Sequence, residues 1–224
     1  MAQPSTPEPF GQELVRRGQQ IAVSTLRHGF VRQLADGSLP RETFLRYLVQ
    51  NALFLTGYAA ALSEALQGGV PSSVAGLLTG LETAISGPAI DRHVAEYRSR
   101  AGRDPDLQAA APSPVTMAYA GHLRACAGSG GAAILVAILP GEQSYAAAGR
   151  YYAASGDRTP GNPYAGWIAQ YAAGGVDELV AEILAGIAVA GPAGPTRREL
   201  LNVYERSVRL DEQFWEMAGR PGES

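Results

Sequence analysis

The sequence contains a single thiol that could act as a nucleophile, that of Cys126. A cysteine becomes reactive when a nearby base or cation favours the thiolate, and on a helix His122 at i−4 and Arg124 lie close enough to do so. The alternative is that Cys126, among the small and apolar residues of LRACAG, is a buried hydrophobic residue. A lone cysteine in such a context is usually buried, so the sequence favours this alternative.

Glu142, within the segment ILPGEQSYAAAG (Ile138 to Gly149), is a candidate for acid–base chemistry. Held in an apolar cleft, its carboxyl would have a raised pKa and could serve as a general acid or base. Alternatively, it is a first-turn glutamate after Pro140, favoured by the helix dipole and facing solvent. Its neighbour Gly141 has no side chain, so no covalent catalysis can occur at that position.

The three histidines do not form the pattern of a helical metal site. Di-iron centres in helical bundles use Glu-x-x-His pairs, and no histidine of this chain has a glutamate three positions before it. We therefore predict no metal and no cofactor. His93, with Glu96 or Tyr97, is expected to form a pair on a helix surface. His28 is expected to cap a helix or pack in the core rather than bind haem.

Apolar residues recur at helical spacing along most of the chain, which predicts an all-α orthogonal bundle. The first helix is predicted from Phe10 to Phe30. A turn at Asp36 and Gly37 precedes a second helix, which Ser38 is predicted to cap and which ends at residues 68–69. Gly, Pro and Asp turns separate further helices predicted at 72–86, 88–101, 115–127, 132–155, 163–171, 176–189 and 195–218.

Composition narrows the class of protein and of partner. A 224-residue chain with 46% hydrophobic residues can form one domain, predicted at residues 10–218 between a loose lead at 1–9 and a tail at 219–224. The net charge of −3 comes without a basic stripe, so nucleic acid is not an expected partner. The sequence has no apolar run of membrane-spanning length, no signal-peptide pattern and one cysteine, which predicts a cytoplasmic protein without a membrane partner.

Three segments follow one another in an order that resembles the TenA family, also called thiaminase II. They are Phe30 to Leu62, Ile138 to Gly149, and LDEQFWEMA from Leu210 to Ala218, so the resemblance spans nearly the whole chain. It implies a haem-oxygenase-like helical bundle, a hydrolase role in thiamin metabolism on a pyrimidine, and assembly into a homodimer or homotetramer.

The resemblance also implies which residues would catalyse a reaction. The family's nucleophilic cysteine falls on Gly141, so standard thiaminase II activity is not expected. A branch of the family that lacks the cysteine is thought to rely on a glutamate, for which Glu142 is the candidate. Counting back from Trp215 places the family's catalytic glutamate on Asp211, a shorter carboxylate that would need a slightly closer cleft. The alternative for Asp211 is a solvated residue of an amphipathic helix.

Further positions implied by the resemblance would hold the ligand. The acid that contacts the pyrimidine amino group falls on Asn51, whose amide can still accept a hydrogen bond but carries no charge. The alternative for Asn51 is a buried amide satisfied by neighbouring helices. The tyrosine one turn later falls on Phe54, which keeps a stacking surface. Three tyrosines match ligand-lining positions or else belong to the core: Tyr119, Tyr145 and Tyr171.

Two functions from different classes remain open. In the first, the protein binds a small planar, pyrimidine-like heterocycle and hydrolyses a C–N bond by acid–base chemistry of Glu142 and Asp211, without a covalent intermediate. In the second, it is a non-catalytic or regulatory small-molecule-binding homologue, or an enzyme of another pathway on the same fold. A metal or haem oxygenase is a third reading, against which the missing Glu-x-x-His pairs argue.

Overall fold

The computed structural model describes residues 8–155, 161–173, 175–190 and 195–219, and within these ranges the regular elements are all helices. The prediction of an all-α protein is therefore confirmed. Most of the predicted lead and tail, at 1–7 and 220–224, lies outside the described residues. In the described part of the chain, no helix is long and apolar enough to cross a membrane.

The helices follow the predicted order with small shifts of their ends. They are α1 (Phe10–Arg27), α2 (Gly29–Asp36), α3 (Arg41–Gln67), α4 (Ser72–Ala84), α5 (Ile90–Ala101), α6 (Pro114–Ala127), α7 (Gly131–Ser155), α8 (Ala165–Ala172), α9 (Val176–Ala190) and α10 (Arg197–Gly219). A π-helical turn, Ile85–Ala89, joins α4 to α5.

The first predicted helix is interrupted at His28, where the backbone is extended and separates α1 from α2. The Nδ1 atom of His28 accepts a hydrogen bond from the Phe30 amide at 3.2 Å, so His28 caps α2, which confirms the capping role expected for it. The predicted cap at Ser38 is wrong. The amide and hydroxyl of Ser38 both donate to Asp36 Oδ1, at 2.9 and 2.6 Å, because a carboxylate two residues back is the nearer acceptor.

The predicted helix boundary between Ser86 and Pro88 is also wrong, because the helical path continues from Ser72 to Ala101 through the π-helical turn. Proline has no N–H to donate to the preceding turn, and the wider π-helical turn accommodates Pro88 without ending the helix. Ile85 and Ala89, at either end of this turn, are buried and line the internal cavity described below.

Helix α7 is the centre of the bundle, because its first half is apolar on every side. The residues from Ala132 to Leu139 are all at most 5% exposed. A helix that is apolar all round has to be covered all round, and α1, α6, α8, α9 and α10 pack about it. Helix α3 packs mainly against α4, α5 and α6. The internal cavity lies between α3 and α7 and is completed by residues of their neighbours.

Candidate functional site

The internal cavity has a volume of about 230 Å³, reaches the surface at the exposed residues Ala84 and Arg92, and collects every ligand-site position named from the sequence. Its walls are mostly aromatic and aliphatic, with a few polar groups between them. The positions expected from the sequence that line it are Asn51, Phe54, Tyr119, Gly141, Glu142, Tyr145, Tyr171 and Asp211. A mostly apolar cavity with a few convergent polar groups is the usual form of a small-molecule site.

Helical periodicity explains why α3 and α7 contribute several of these side chains. Asn51, Phe54 and Tyr58 are spaced three and four residues apart on α3, so they lie on one face of that helix. Glu142 and Tyr145 are likewise three residues apart on α7. Helix α6 contributes Tyr119, α8 contributes Tyr171, and α10 contributes both Asp211 and Phe214.

The place of Tyr171 depends on a close contact between α7 and α8. A Cβ atom at Gly149 would lie 2.5 Å from the backbone carbonyl oxygen of Tyr171, a distance that real Cβ atoms do not adopt. Only glycine at this position lets α8 approach so closely. The Tyr171 ring then stacks on that of Tyr145, with centroids 5.4 Å apart and an interplanar angle of 27°.

Glu142 lies in the middle of α7 rather than in a first turn, because α7 begins at Gly131. The alternative of a solvent-facing first-turn glutamate is therefore wrong. Its Oε1 accepts a hydrogen bond from the Tyr58 hydroxyl at 3.3 Å. Burial raises the pKa of Glu142 to about 7; the hydrogen bond from Tyr58 opposes this shift, and the nearby Asp211 carboxyl adds to it.

Asp211 is a buried carboxyl on α10, with 7% of its surface exposed, so the alternative of a solvated aspartate is also wrong. The indole Nε1–H of Trp215 donates to its Oδ2 at 3.3 Å and also to the Ser144 hydroxyl at 3.2 Å. Burial raises the pKa of Asp211 to about 7, against the lowering effect of hydrogen bonds from Ser144 and Trp215. Its exposed neighbour Glu212 instead accepts a hydrogen bond from Ser24 at 2.9 Å.

Gly141 faces the Tyr119 hydroxyl and the Asp211 carboxyl. A Cβ atom at Gly141 would lie 3.2 Å from the Tyr119 hydroxyl and 3.8 Å from Asp211 Oδ1. The Tyr119 ring packs on Phe54, with centroids 4.6 Å apart. The position implied for the family's thiol is thus turned toward the cavity, beside a carboxyl, but carries no reactive atom.

Asn51 is a buried amide hydrogen-bonded to a neighbouring helix, as the alternative for this residue stated, and it also lines the cavity. Its Nδ2 atom lies 2.6 Å from His93 Nε2 and 3.4 Å from the Tyr47 hydroxyl. The other ring nitrogen of His93, Nδ1, lies 2.7 Å from the carbonyl oxygen of Ala89 in the π-helical turn. The Tyr47 hydroxyl in turn lies 3.1 Å from that of Tyr145.

His93 corrects an expectation from the sequence, which paired it with Glu96 or Tyr97 on a helix surface. It is only 3% exposed, packs edge-on against Trp167 with centroids 4.9 Å apart, and lines the cavity. The apolar residues Ile90, Val94, Tyr97 and Ala101 recur at helical spacing along α5, and His93 lies on the same side, so its burial was detectable from the sequence. Tyr58 was detectable, because it continues the face of Asn51 and Phe54.

Cys126 lies outside the cavity, as the favoured interpretation of a buried residue requires. Its Sγ lies 3.8 Å from His122 Nδ1, while His122 Nε2 lies 2.9 Å from the Ser207 hydroxyl. Burial raises the pKa of the Cys126 thiol to about 11 and lowers that of His122 to about 4. Both groups are therefore neutral near pH 7, and Cys126 has no activated thiolate.

A larger cleft of about 640 Å³ opens at the surface between α3, α6 and α10. Two of its polar side chains, Gln50 and Arg46, make hydrogen bonds within the bundle. Gln50 Oε1 accepts hydrogen bonds from the Ser113 amide and the Thr116 hydroxyl, at 2.9 and 2.8 Å. Arg46 donates to the Ala218 carbonyl at 3.1 Å. The two acids of the internal cavity, both with a raised pKa, make that cavity the stronger candidate for a chemical site.

Comparisons with known proteins agree with this architecture. The TENA/THI-4/PQQC family model matches residues 15–220. An uncharacterised protein of Haemophilus influenzae is 29% identical over 92% of this chain and 97% of its own length. An aminopyrimidine aminohydrolase of Halalkalibacterium halodurans is 26% identical over 93% of this chain and 95% of its own.

Solved structures give the same result for the fold. A TenA homologue from P. horikoshii superimposes with a TM-score of 0.83 over 95% of this chain and 99% of its own, at 26% identity. This likeness confirms the haem-oxygenase-like bundle expected from the sequence. With the family model matching nearly the whole chain, the protein belongs to the TENA/THI-4/PQQC family.

Proposed function

We propose that the protein binds a small aminopyrimidine-like heterocycle in the internal cavity and hydrolyses a C–N bond of that ligand without a covalent intermediate. The observation that carries this proposal is a pair of carboxyls, the half-buried Glu142 and the buried Asp211, which line the same aromatic cavity and both have a pKa raised to about 7. The relative from H. halodurans is an aminopyrimidine aminohydrolase, which supports this substrate class.

The walls of the cavity suit a flat ring. Two pairs of rings line the cavity, Phe54 with Tyr119 and Tyr145 with Tyr171, and offer π-faces for an aromatic heterocycle. The Asn51 amide can accept a hydrogen bond from an exocyclic amino group. Binding would thus combine ring stacking with a small number of oriented polar contacts.

The chemistry divides between the two acids. At neutral pH a pair of carboxyls with pKa values near 7 carries, on average, about one proton. The protonated member donates its proton to the leaving nitrogen, and the ionised member takes a proton from an attacking water molecule. The aminomethyl carbon loses its bond to nitrogen and gains one to the water oxygen, which gives an alcohol and ammonia. Either acid could fill either role.

A non-catalytic binding protein is the second candidate, and the loss of three reactive groups favours it. Gly141 has no nucleophile, Asn51 has no charge and Phe54 has no hydroxyl, whereas the family resemblance implies a cysteine, an acid and a tyrosine there. A protein of this kind would keep the stacking walls and bind the heterocycle without turnover.

The test is to incubate the purified protein with thiamin, an aminomethyl-pyrimidine and its formylated form, and to follow hydroxymethyl-pyrimidine by mass spectrometry. The Cys126→Ala variant tests independence from the remaining thiol. Product formed at similar rates by the wild type and Cys126→Ala supports the proposal. Product that disappears in Cys126→Ala while the variant stays folded contradicts it. Binding of these compounds without product from any of them favours the second candidate.

A further inference from the structure

The orientation of the Asn51 amide is determined, through His93, by a backbone carbonyl oxygen. A backbone carbonyl only accepts hydrogen bonds, so the 2.7 Å contact between Ala89 O and His93 Nδ1 requires a proton on Nδ1. In the neutral ring the proton on Nδ1 leaves Nε2 as an acceptor. Burial lowers the pKa of His93 to about 4, and the ring is therefore neutral near pH 7.

The same reasoning extends to the Asn51 amide, which is the next group in this series of hydrogen bonds. Because His93 Nε2 accepts, the Asn51 atom 2.6 Å from it must be the NH₂ nitrogen and not the oxygen. The NH₂ group also lies 3.4 Å from the Tyr47 hydroxyl. The Oδ1 atom is thereby left as the free end of a side chain that lines the cavity.

We propose that His93 is a positioning residue that sets the ligand specificity of the cavity. Its ring, held by the Ala89 carbonyl, fixes the Asn51 amide so that the amide oxygen faces the cavity as an acceptor. The cavity therefore selects a ligand that carries a hydrogen-bond donor opposite this oxygen. This inference rests on the proposed ligand class, and it adds that an amino group is accepted while a carbonyl group at the same ring position is rejected. A site with a fixed polar group rejects a mismatched analogue because the mismatch leaves buried groups unpaired.

A ligand-independent experiment tests the first half of this inference. Long-range ¹⁵N–¹H NMR spectra of the wild type at pH 7 report which nitrogen of each histidine carries the proton. We expect the His93 ring to carry its proton on Nδ1, with Nε2 unprotonated. A proton on Nε2 would overturn the inference, whatever the protein binds, because Asn51 would then have to turn its oxygen toward the ring.

The second half is tested by the ratio of dissociation constants for 4-amino-2-methylpyrimidine and its 4-oxo analogue, measured by calorimetry. We expect the wild type to prefer the amino compound by at least about 10-fold. His93→Phe keeps a ring against Trp167 but removes both nitrogens, and the ratio should fall to within about threefold. His93→Gln restores an acceptor and should recover part of the preference.

His122→Gln provides the matched control, since His122 is buried and neutral like His93 but lies outside the cavity. It should leave the ratio unchanged even if it lowers stability. An unchanged ratio in His93→Phe would contradict the inference. If the wild type binds neither compound, the proposed ligand class fails, and the protonation state of His93 still decides whether the amide is fixed as argued.

Discussion

The buried carboxyl of Asp211 should make the protein less stable as the pH rises, and Asp211→Asn should remove this effect. Its pKa is raised to about 7 in the folded state from an ordinary value of 3.8, so the folded protein holds a proton that the unfolded chain releases. Between those two values the folded state binds more protons, and the free energy of unfolding therefore falls with increasing pH. Above the folded pKa no further stability is lost.

The size of the effect follows from these two values. From pH 5 to pH 8 the titration of Asp211 lowers the free energy of unfolding by about 2.5 kcal/mol. An asparagine has no proton to lose, and any cost of its new NH₂ group is the same at both pH values. The free energy of unfolding of Asp211→Asn, taken relative to that of the wild type, should therefore be about 2.5 kcal/mol higher at pH 8 than at pH 5.

Urea denaturation of the wild type and Asp211→Asn at the two pH values measures this difference directly. Glu212→Gln is the matched control, because it changes an exposed carboxyl on the same helix, and its difference from the wild type should stay within about 0.5 kcal/mol at both pH values. If Asp211→Asn also differs from the wild type by the same amount at pH 5 and pH 8, Asp211 titrates like an exposed acid and the reasoning is refuted.

Three other predictions concern the pH dependence of activity, the packing of α7 on α8, and assembly. If hydrolysis needs one protonated and one ionised carboxyl, kcat/KM should peak near pH 7 and fall about 25-fold two pH units to either side. A profile that only rises or only falls with pH would exclude a general acid and a general base acting as a pair. Gly149→Ala should lower the free energy of unfolding by about 1–2 kcal/mol and weaken ligand binding, because its methyl group displaces the Tyr171 backbone. The control Gly76→Ala, with open space around it, should be neutral or slightly stabilising. Sedimentation should give a dimer or tetramer, and a monomer at micromolar concentration would contradict the assembly implied by the family resemblance.

Helical periodicity predicted much of the site, because residues on one face of a helix are set by spacing alone. The face of α3 that carries Asn51, Phe54 and Tyr58 follows from positions three and four apart. The orientation of Glu142 did not follow from the sequence. The helix predicted at 132–155 already places it in a helix interior, but spacing alone does not tell whether its side chain meets solvent or a cavity. The contact with Tyr58 of α3 shows that it faces the cavity.

Other features depend on contacts between residues far apart in the chain. His93 lies on the apolar side of α5, but its packing on Trp167 and its contact with the Ala89 carbonyl leave no pattern in the sequence. The contact of Gly149 with the Tyr171 backbone is likewise visible only in three dimensions. The π-helical turn was missed because Pro88 normally marks a helix end.

The measurement that tests the central claim most directly is the turnover of an aminomethyl-pyrimidine by the Glu142→Gln, Asp211→Asn double variant, with ligand binding measured in the same preparation. Both substitutions keep the shape of the cavity and remove its acids, and Glu182→Gln, an exposed change on α9, is the control. The account predicts that the double variant still binds the ligand but loses at least about 100-fold in kcat, while Glu182→Gln matches the wild type. Turnover retained by the double variant would contradict the claim that these two carboxyls carry the reaction.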